Sequence, residues 1–359
     1  MIRFEPRHNL SPALAIAAPV AAGFVALALA AIPLAFAGAP IVEAYRLMVE
    51  GAFGSLFAFS ETLTRTTPLI LTGLAAAVAF RARLWNIGAE GQLYAGALAA
   101  VAVGSGLIDG PPIVMIPLVL VAGALAGALL MLGPALLKLK FGADEVVTTL
   151  LLNFVMLLFV QMMLEGPLQD PMSLGWPQSA PIIDSAMLPP LLGRMRVHSG
   201  LLIGLVAAVA VAIMMRRTVW GAEIRAVGEN APAARYAGIP VTATMVRVAL
   251  ISGGLAGLAG VGEVAGLKGY LTSDLSPGFG YAGIVVAMLA GLSPLGVVAA
   301  ALFIASVFVG ADSMSRGLGV SSYLADLIVA LSLLCVLIGG FITRFHIRWA
   351  GRAARTVRP

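Results

Sequence analysis

Charge is scarce in this sequence: only 11% of its 359 residues are Asp, Glu, Lys or Arg, where soluble domains carry roughly 25%. That shortage excludes a water-soluble globule. The single cysteine, Cys335, excludes an intrachain disulfide framework and a CxxC redox pair. The three histidines, His8, His198 and His346, stand too far apart for a zinc cluster at the usual ligand spacings. Lysine occurs three times, after Leu137, Leu139 and Leu267. None of the three sits in a G-x-x-x-x-G-K-[ST] loop, so the chain has no Walker-type nucleotide cradle. HExxH, GxSxG and paired aspartates are missing as well, which leaves an intramembrane enzyme without a catalytic set.

Apolar side chains, at 60%, are what the sequence has in quantity. Ten runs are long or apolar enough to read as membrane spans: 13–37, 66–80, 87–108, 113–137, 146–164, 199–215, 244–264, 281–292, 295–311 and 323–343. Ten spans of about 20 residues nearly exhaust the apolar residues and leave no room for a soluble domain. The first run ends in Ala35-Phe36-Ala37, like a signal cleavage site, but it is far longer than the ~7–15 residues of a signal core and reads as an anchor. With the N-terminus inside, 16 of the 22 Lys and Arg residues fall on the inner side. This asymmetry places both termini in the cytoplasm, and it assigns the +5 balance to membrane orientation rather than to nucleic acid. Two loops exceed the rest. The outer one, 165–198, is proline-rich and reads as ordered irregular backbone or a short surface helix; the inner one, 216–243, is polar and charged.

Polarity inside apolar runs is costly and marks pathways. Asn86, Glu90 and Gln92 cluster between glycines after what reads as an unusually short span, 66–80, in the manner of a substrate site built from broken helices. Glu90 lines such a path or serves as a cap near a helix N-terminus, and Asn153 lines it or bonds a neighbouring helix. Phe279 and Tyr281 hold the comparable place in the second half, again among glycines. Their segment, Gly278 to Gly283, matches GxGxxG, yet it follows no strand and lacks the acidic ribose partner, so packing explains it better than a dinucleotide. Gly123 and Gly127, Gly253 and Gly257, and Gly262 and Gly266 have the i, i+4 spacing of close helix packing.

The strongest local signal runs from Gly221 to Ile239. It reads as a short cytoplasmic helix carrying small residues on one side, with Gly228 and Gly238 as breaks and with Arg225, Glu229 and Arg235 able to pair with a partner. This segment resembles the coupling loop of ABC importer permeases of the branched-chain amino acid and ribose type, R-A-x-G-x-N-x-x-A-A-x-x-x-G-I. Arg225, Ala226, Gly228, Asn230, Ala233, Ala234, Gly238 and Ile239 meet every fixed position. Asn86 to Gln92, Glu145 to Thr148 with Leu151-Leu152-Asn153, and Gly278 to Ala287 with Pro294 resemble the simple-sugar and nucleoside subfamily. The likeness covers about 66–342. Asp144 stands where that group carries asparagine, and Arg83 and Trp85 stand where it carries glycine and phenylalanine.

The resemblance implies an all-α membrane protein of about ten transmembrane helices in two pseudo-symmetric halves, with broken helices. The single permease domain, 1–359, then comprises an N-terminal span (13–37), a first half (66–164), the external loop (165–198), a linking span (199–215), the coupling loop (216–243) and a second half (244–343). Implied partners are an ABC ATPase that holds the ATP, a second and different permease, a substrate-binding lipoprotein, membrane lipid and a small-molecule substrate. No cofactor is expected on this chain. The expected place is the bacterial cytoplasmic membrane, and the expected cargo is a nucleoside, followed by ribose-like sugars and branched-chain amino acids. A channel or ion-coupled secondary carrier would share the polar cluster but not the coupling loop.

Overall fold

A computed structural model describes residues 2–6, 12–191, 193 and 195–349. Helices dominate: α1 (Pro12–Phe36), α2 (Ile41–Phe53), α3 (Leu56–Arg81), α4 (Ala89–Gly104), α5 (Pro112–Phe141), α6 (Glu145–Leu164), α7 (Gly200–Arg217), α8 (Val219–Glu229), α9 (Ala231–Tyr236), α10 (Val241–Glu263), α11 (Phe279–Leu289), α12 (Pro294–Leu318) and α13 (Ser322–Arg344). Each of the ten apolar runs overlaps one of these helices, and among the described residues seven helices are long and apolar enough to cross a membrane. The strands among the described residues are β1 (Ile2–Pro6) and β2 (Phe345–Trp349), paired antiparallel with Phe4 opposite Ile347.

The chain forms two compact units. One joins its first 49 residues to those from Gly310 onward; its core gathers Ala30, Leu34, Ala39, Ala44, Met314 and Ile328, and the Tyr45 hydroxyl donates to the Leu27 carbonyl. The other, from Glu50 to Val309, holds the polar cluster. Within it α3 and α10 are central, with 89% and 78% of their apolar windows buried against 28% for α5 and 22% for α6. The seam between α5 and α10 is built from backbone. Side chains added at Gly127, Gly253 or Gly257 would run into main-chain atoms of the facing helix, as would one at Gly260 into Leu93 of α4. Two of the three spaced glycine pairs therefore serve helix packing. The third does not: Gly266 lies in a π-helical turn, Val264–Lys268, and makes room for the imidazole of His198.

Two expectations need correction. The span 66–80 is not short, because it is the second part of a 26-residue helix, Leu56–Arg81. Its first turns carry Ser60, Thr62, Thr64, Thr66 and Thr67, whose polarity conceals the helix from a hydropathy reading. In the fold these hydroxyls are buried and donate mostly to their own helix, Thr64 to the Ser60 carbonyl at 2.9 Å and Thr66 to that of Thr62 at 2.7 Å. The inner loop is not one helix broken at Gly228 but two helices hinged at Asn230, whose side chain accepts from the Ala233 amide at 3.0 Å and so caps α9. Gly228 instead lies inside α8, where the Arg81 carbonyl passes too close for any side chain.

Among its described residues, the 165–198 loop is irregular backbone with one 3-10 turn, Asp184–Ala186. It is pinned to the second half by main-chain bonds from Ser179 to Leu271, Ile182 to Gly269 and Leu188 to Ala265.

Candidate functional site

The polar cluster of the first half lies where α4 begins. Asn86 and Gln92 are buried and exchange two side-chain hydrogen bonds, 2.8 and 2.9 Å, and Asn86 also donates to the Ser252 hydroxyl of α10 at 2.9 Å. Asn153 of α6 donates to the Ile87 carbonyl at 2.9 Å and accepts from the Gly91 amide at 2.8 Å. Interior amides kept in lipid must be satisfied in this way. Their role here is to hold the non-helical turn Arg83–Gly88 in one conformation.

The segment from the second half arrives at the same place. Gly280, in the first turn of α11, lies so close to the backbone of Ala89 and Glu90 that a β-carbon would stand 2.5 Å from Glu90 Cα. The Gly280 amide donates to the Glu90 carboxyl at 2.7 Å. Glu90 thus caps a helix, but that helix is α11 and not its own. The arrangement is sensible electrostatically: two helix N-termini, each equivalent to roughly half a positive charge, converge, and the acidic side chain lies between them. One turn further along α4, Tyr94 donates to the Ser273 carbonyl at 2.8 Å and accepts from the Ser276 amide at 3.2 Å. Ser276 in turn accepts from the amides of Gly278 and Phe279, and Thr72 of α3 donates to the Phe279 carbonyl at 3.0 Å.

The fold therefore brings together all six residues singled out for a path. Asn86, Glu90, Gln92, Asn153 and Phe279 are buried, and Phe279 stacks obliquely on Phe308 at 5.9 Å. Tyr281 is 38% exposed, and its hydroxyl is held by Asn153 at 3.1 Å. Trp85, also exposed, leans on Phe80 with ring centroids 4.8 Å apart. Tyr94, Ser252 and Ser276 are members that the sequence reading missed; Tyr94 alone carried a signal, standing four residues after Glu90 on the same helix face.

The three departures from the subfamily pattern have structural readings. Arg83 has φ +54°, a left-handed conformation natural to the glycine it replaces. Asp144 accepts from the Val146 amide at 2.8 Å, a capping task for which one oxygen suffices. Beside it, Glu145 pairs with Lys138 and accepts from the Trp85 amide at 3.3 Å, tying the altered turn to α6.

At the inner loop, Glu223 binds Arg247 of α10 at 2.7 Å, and the Arg247 guanidinium lies 5.4 Å over the Trp220 ring. The helix pair is therefore fixed on the body of the protein. Of the residues matching the coupling pattern, Gly228 and Ala234 are buried, Ala226 is partly covered, and Arg225 donates to the Met215 carbonyl. Glu229, Asn230, Ala233, Arg235 and Gly238 are exposed, together with Pro232 and Tyr236. The outward face is thus one edge of α8 and most of α9.

Residues 58–337 match the family model described as the permease component of branched-chain amino acid transport systems. The chain belongs to this permease family. Similar proteins include the glucose ABC transporter permease TsgB13 of Haloferax volcanii, 37% identical over 96% of this chain and 93% of that protein. The guanosine ABC transporter permease NupP of Bacillus subtilis is 36% identical over 92% of this chain and 93% of its own length. The nucleoside ABC transporter permease NupB of Lactococcus lactis is 35% identical over 80% and 81%. No solved structure matches. The permease is a multi-pass membrane protein of the ABC importer type.

Proposed function

We propose that the permease carries nucleosides inward, driven by ATP hydrolysis on a separate ABC ATPase. The supporting observation is the similarity, over four-fifths or more of this chain, to permeases named for guanosine and for nucleosides. Tyr281 and Trp85 offer exposed aromatic faces beside the joined helix N-termini, and a base stacks on such faces better than a bare sugar does. Asn86, Glu90, Gln92, Asn153 and Phe279 act on the path by positioning those faces. Glucose is the second reading, favoured by the haloarchaeal relative of comparable similarity.

The remaining assignments form part of the same proposal. The outward face of α8 and α9 docks on the ATPase, Glu229 and Arg235 supplying charge-assisted bonds at the rim. A second, different permease completes the membrane unit, and a lipoprotein delivers the cargo. Both termini and the inner loop are cytoplasmic in a bacterial inner membrane. The pairing of β1 with β2, which lays residues 2–6 beside 345–349, supports an even number of crossings. Uptake by the reconstituted complex with its binding protein, competed by guanosine, uridine, glucose and leucine, tests the cargo. Competition by either nucleoside is expected; competition by glucose or leucine alone would sink the nucleoside assignment.

A further inference from the structure

A cavity of about 210 Å³ opens where α3, α7, α8 and the start of α12 meet, lined by Arg81, Met215, Arg216, Arg225, Leu292, Ser293 and Pro294. Three arginines line one small space, and among the described residues none of the three forms an ion pair with a carboxylate. Two are anchored by carbonyl oxygens, Arg81 by Leu292 at 3.4 Å and Arg225 by Met215. A guanidinium carries five N–H donors in a planar fork, so each anchor uses a fraction of them and fixes the orientation of the others. Anchored arginines without a counter-charge are suited to a phosphate group, whose oxygens accept paired N–H donors.

The rest of the lining says which phosphate. Met215, Leu292 and Pro294 are apolar, and the exposed apolar side chains Ile213 of α7 and Leu295 of α12 are near chain neighbours of the lining residues. Arg216 lies in the last turn of α7, where its apolar span gives way to the basic inner loop, the level at which the headgroups of the inner leaflet lie. The volume falls below the ~300–1,000 Å³ of pockets for drug-sized ligands, and suits a headgroup phosphate whose acyl chains remain outside along α7.

We propose that this cavity binds the phosphodiester of an anionic phospholipid of the inner leaflet, one per permease chain. The lipid would brace α8, and with it the inner helix pair, against the ends of α3 and α7. This goes beyond the transport assignment, because it holds whatever the cargo is.

The test uses the intact permease and ATPase complex in nanodiscs of phosphatidylcholine doped with phosphatidylglycerol, extracted into mild detergent and weighed by native mass spectrometry. Retention of about one phosphatidylglycerol per copy of this chain is expected, with phosphatidylcholine not retained. Arg81→Gln and Arg216→Gln should each lower retention at least several-fold, and Arg216→Lys, which keeps the charge, should lose less than Arg216→Gln. A melting curve for each variant separates loss of the lipid from loss of the fold; Arg216 is exposed at a helix end, so its variants should melt close to wild type in lipid-free detergent. Equal retention in wild type and folded variants would overturn the proposal. Displacement of the lipid by millimolar inorganic phosphate would overturn it in favour of a soluble anion. Unchanged lipid retention with loss of the ATPase from Arg216→Gln would assign the pocket to an acidic side chain of that partner.

Discussion

Removing the side chain of Glu90 tests the central joint of the permease. In Glu90→Ala the Gly280 amide loses its acceptor in a place where Glu90 itself is 3% exposed, so water does not replace the bond. An orphaned buried donor costs about 1–3 kcal/mol, and the lost methylene packing adds about 1 kcal/mol. The joint also loses the one acidic group between two helix N-termini. A total of roughly 2–4 kcal/mol corresponds to a fall in melting temperature of about 3–5 °C for a chain of this size. Glu90→Gln keeps a carbonyl oxygen and nearly the same volume, so it should lose less than about half as much. The assay is thermal unfolding of the purified complex in one detergent, followed by intrinsic fluorescence, with uptake measured in parallel. If Glu90→Ala melted with wild type, or if Gln proved as damaging as Ala, the capping argument would be wrong. Wild-type melting with lost uptake would make Glu90 a direct contact of the cargo.

Three further outcomes can be measured on the same preparation. Arg83→Gly should melt a degree or two higher than wild type, because a non-glycine residue at φ +54° costs about 1 kcal/mol; Arg83→Val should melt lower. Ala233→Trp, on the exposed face of α9, should leave melting unchanged and sharply reduce ATPase co-purification, whereas Ala234→Trp should unfold the inner helix pair because Ala234 is buried; normal co-purification of Ala233→Trp would remove this face from the docking surface. Burial lowers the pKa of His198 in the outer loop to about 4, so below about pH 6.5 the unfolded chain takes up a proton that the native one refuses. Stability should then fall by about 1.4 kcal/mol per pH unit between pH 6.5 and about 4, and His198→Gln should flatten that slope as seen in melting curves; an unchanged slope would show that the loop titrates elsewhere.

Hydropathy is a sum over side chains, so it located the ten apolar runs but failed where polar side chains satisfy themselves. The first turns of α3 are the example: Ser60, Thr64 and Thr66 look solvated in the sequence and yet return their hydroxyls to their own helix. Gly228 was misread for a related reason. Glycine signals either a break or a close approach, and only the neighbouring Arg81 carbonyl decides between them. The polar cluster was legible as a cluster, because amides and carboxyls within apolar runs are expensive. Its working was not: Glu90 caps a helix that begins 189 residues later in the chain, and no local pattern records that. The inward turn of Ala234 and the outward turn of its neighbour Ala233 were equally illegible, since a helix of six residues is too short to show an amphipathic period.

The glycine seam between α5 and α10, continued to α4 at Gly260, also limits how the permease can move. Where two backbones touch, a sideways slip of little more than an ångström drives a Cα into a carbonyl, and parting them leaves narrow gaps that lipid tails fill poorly. Those three helices are therefore expected to move as one block. The displacement is expected to fall on helices outside that seam, α7 above all, whose apolar window is only 33% buried. Because α7 leads directly into α8, a tilt of that single helix would carry the ATPase stroke into the bilayer without disturbing the block beside it.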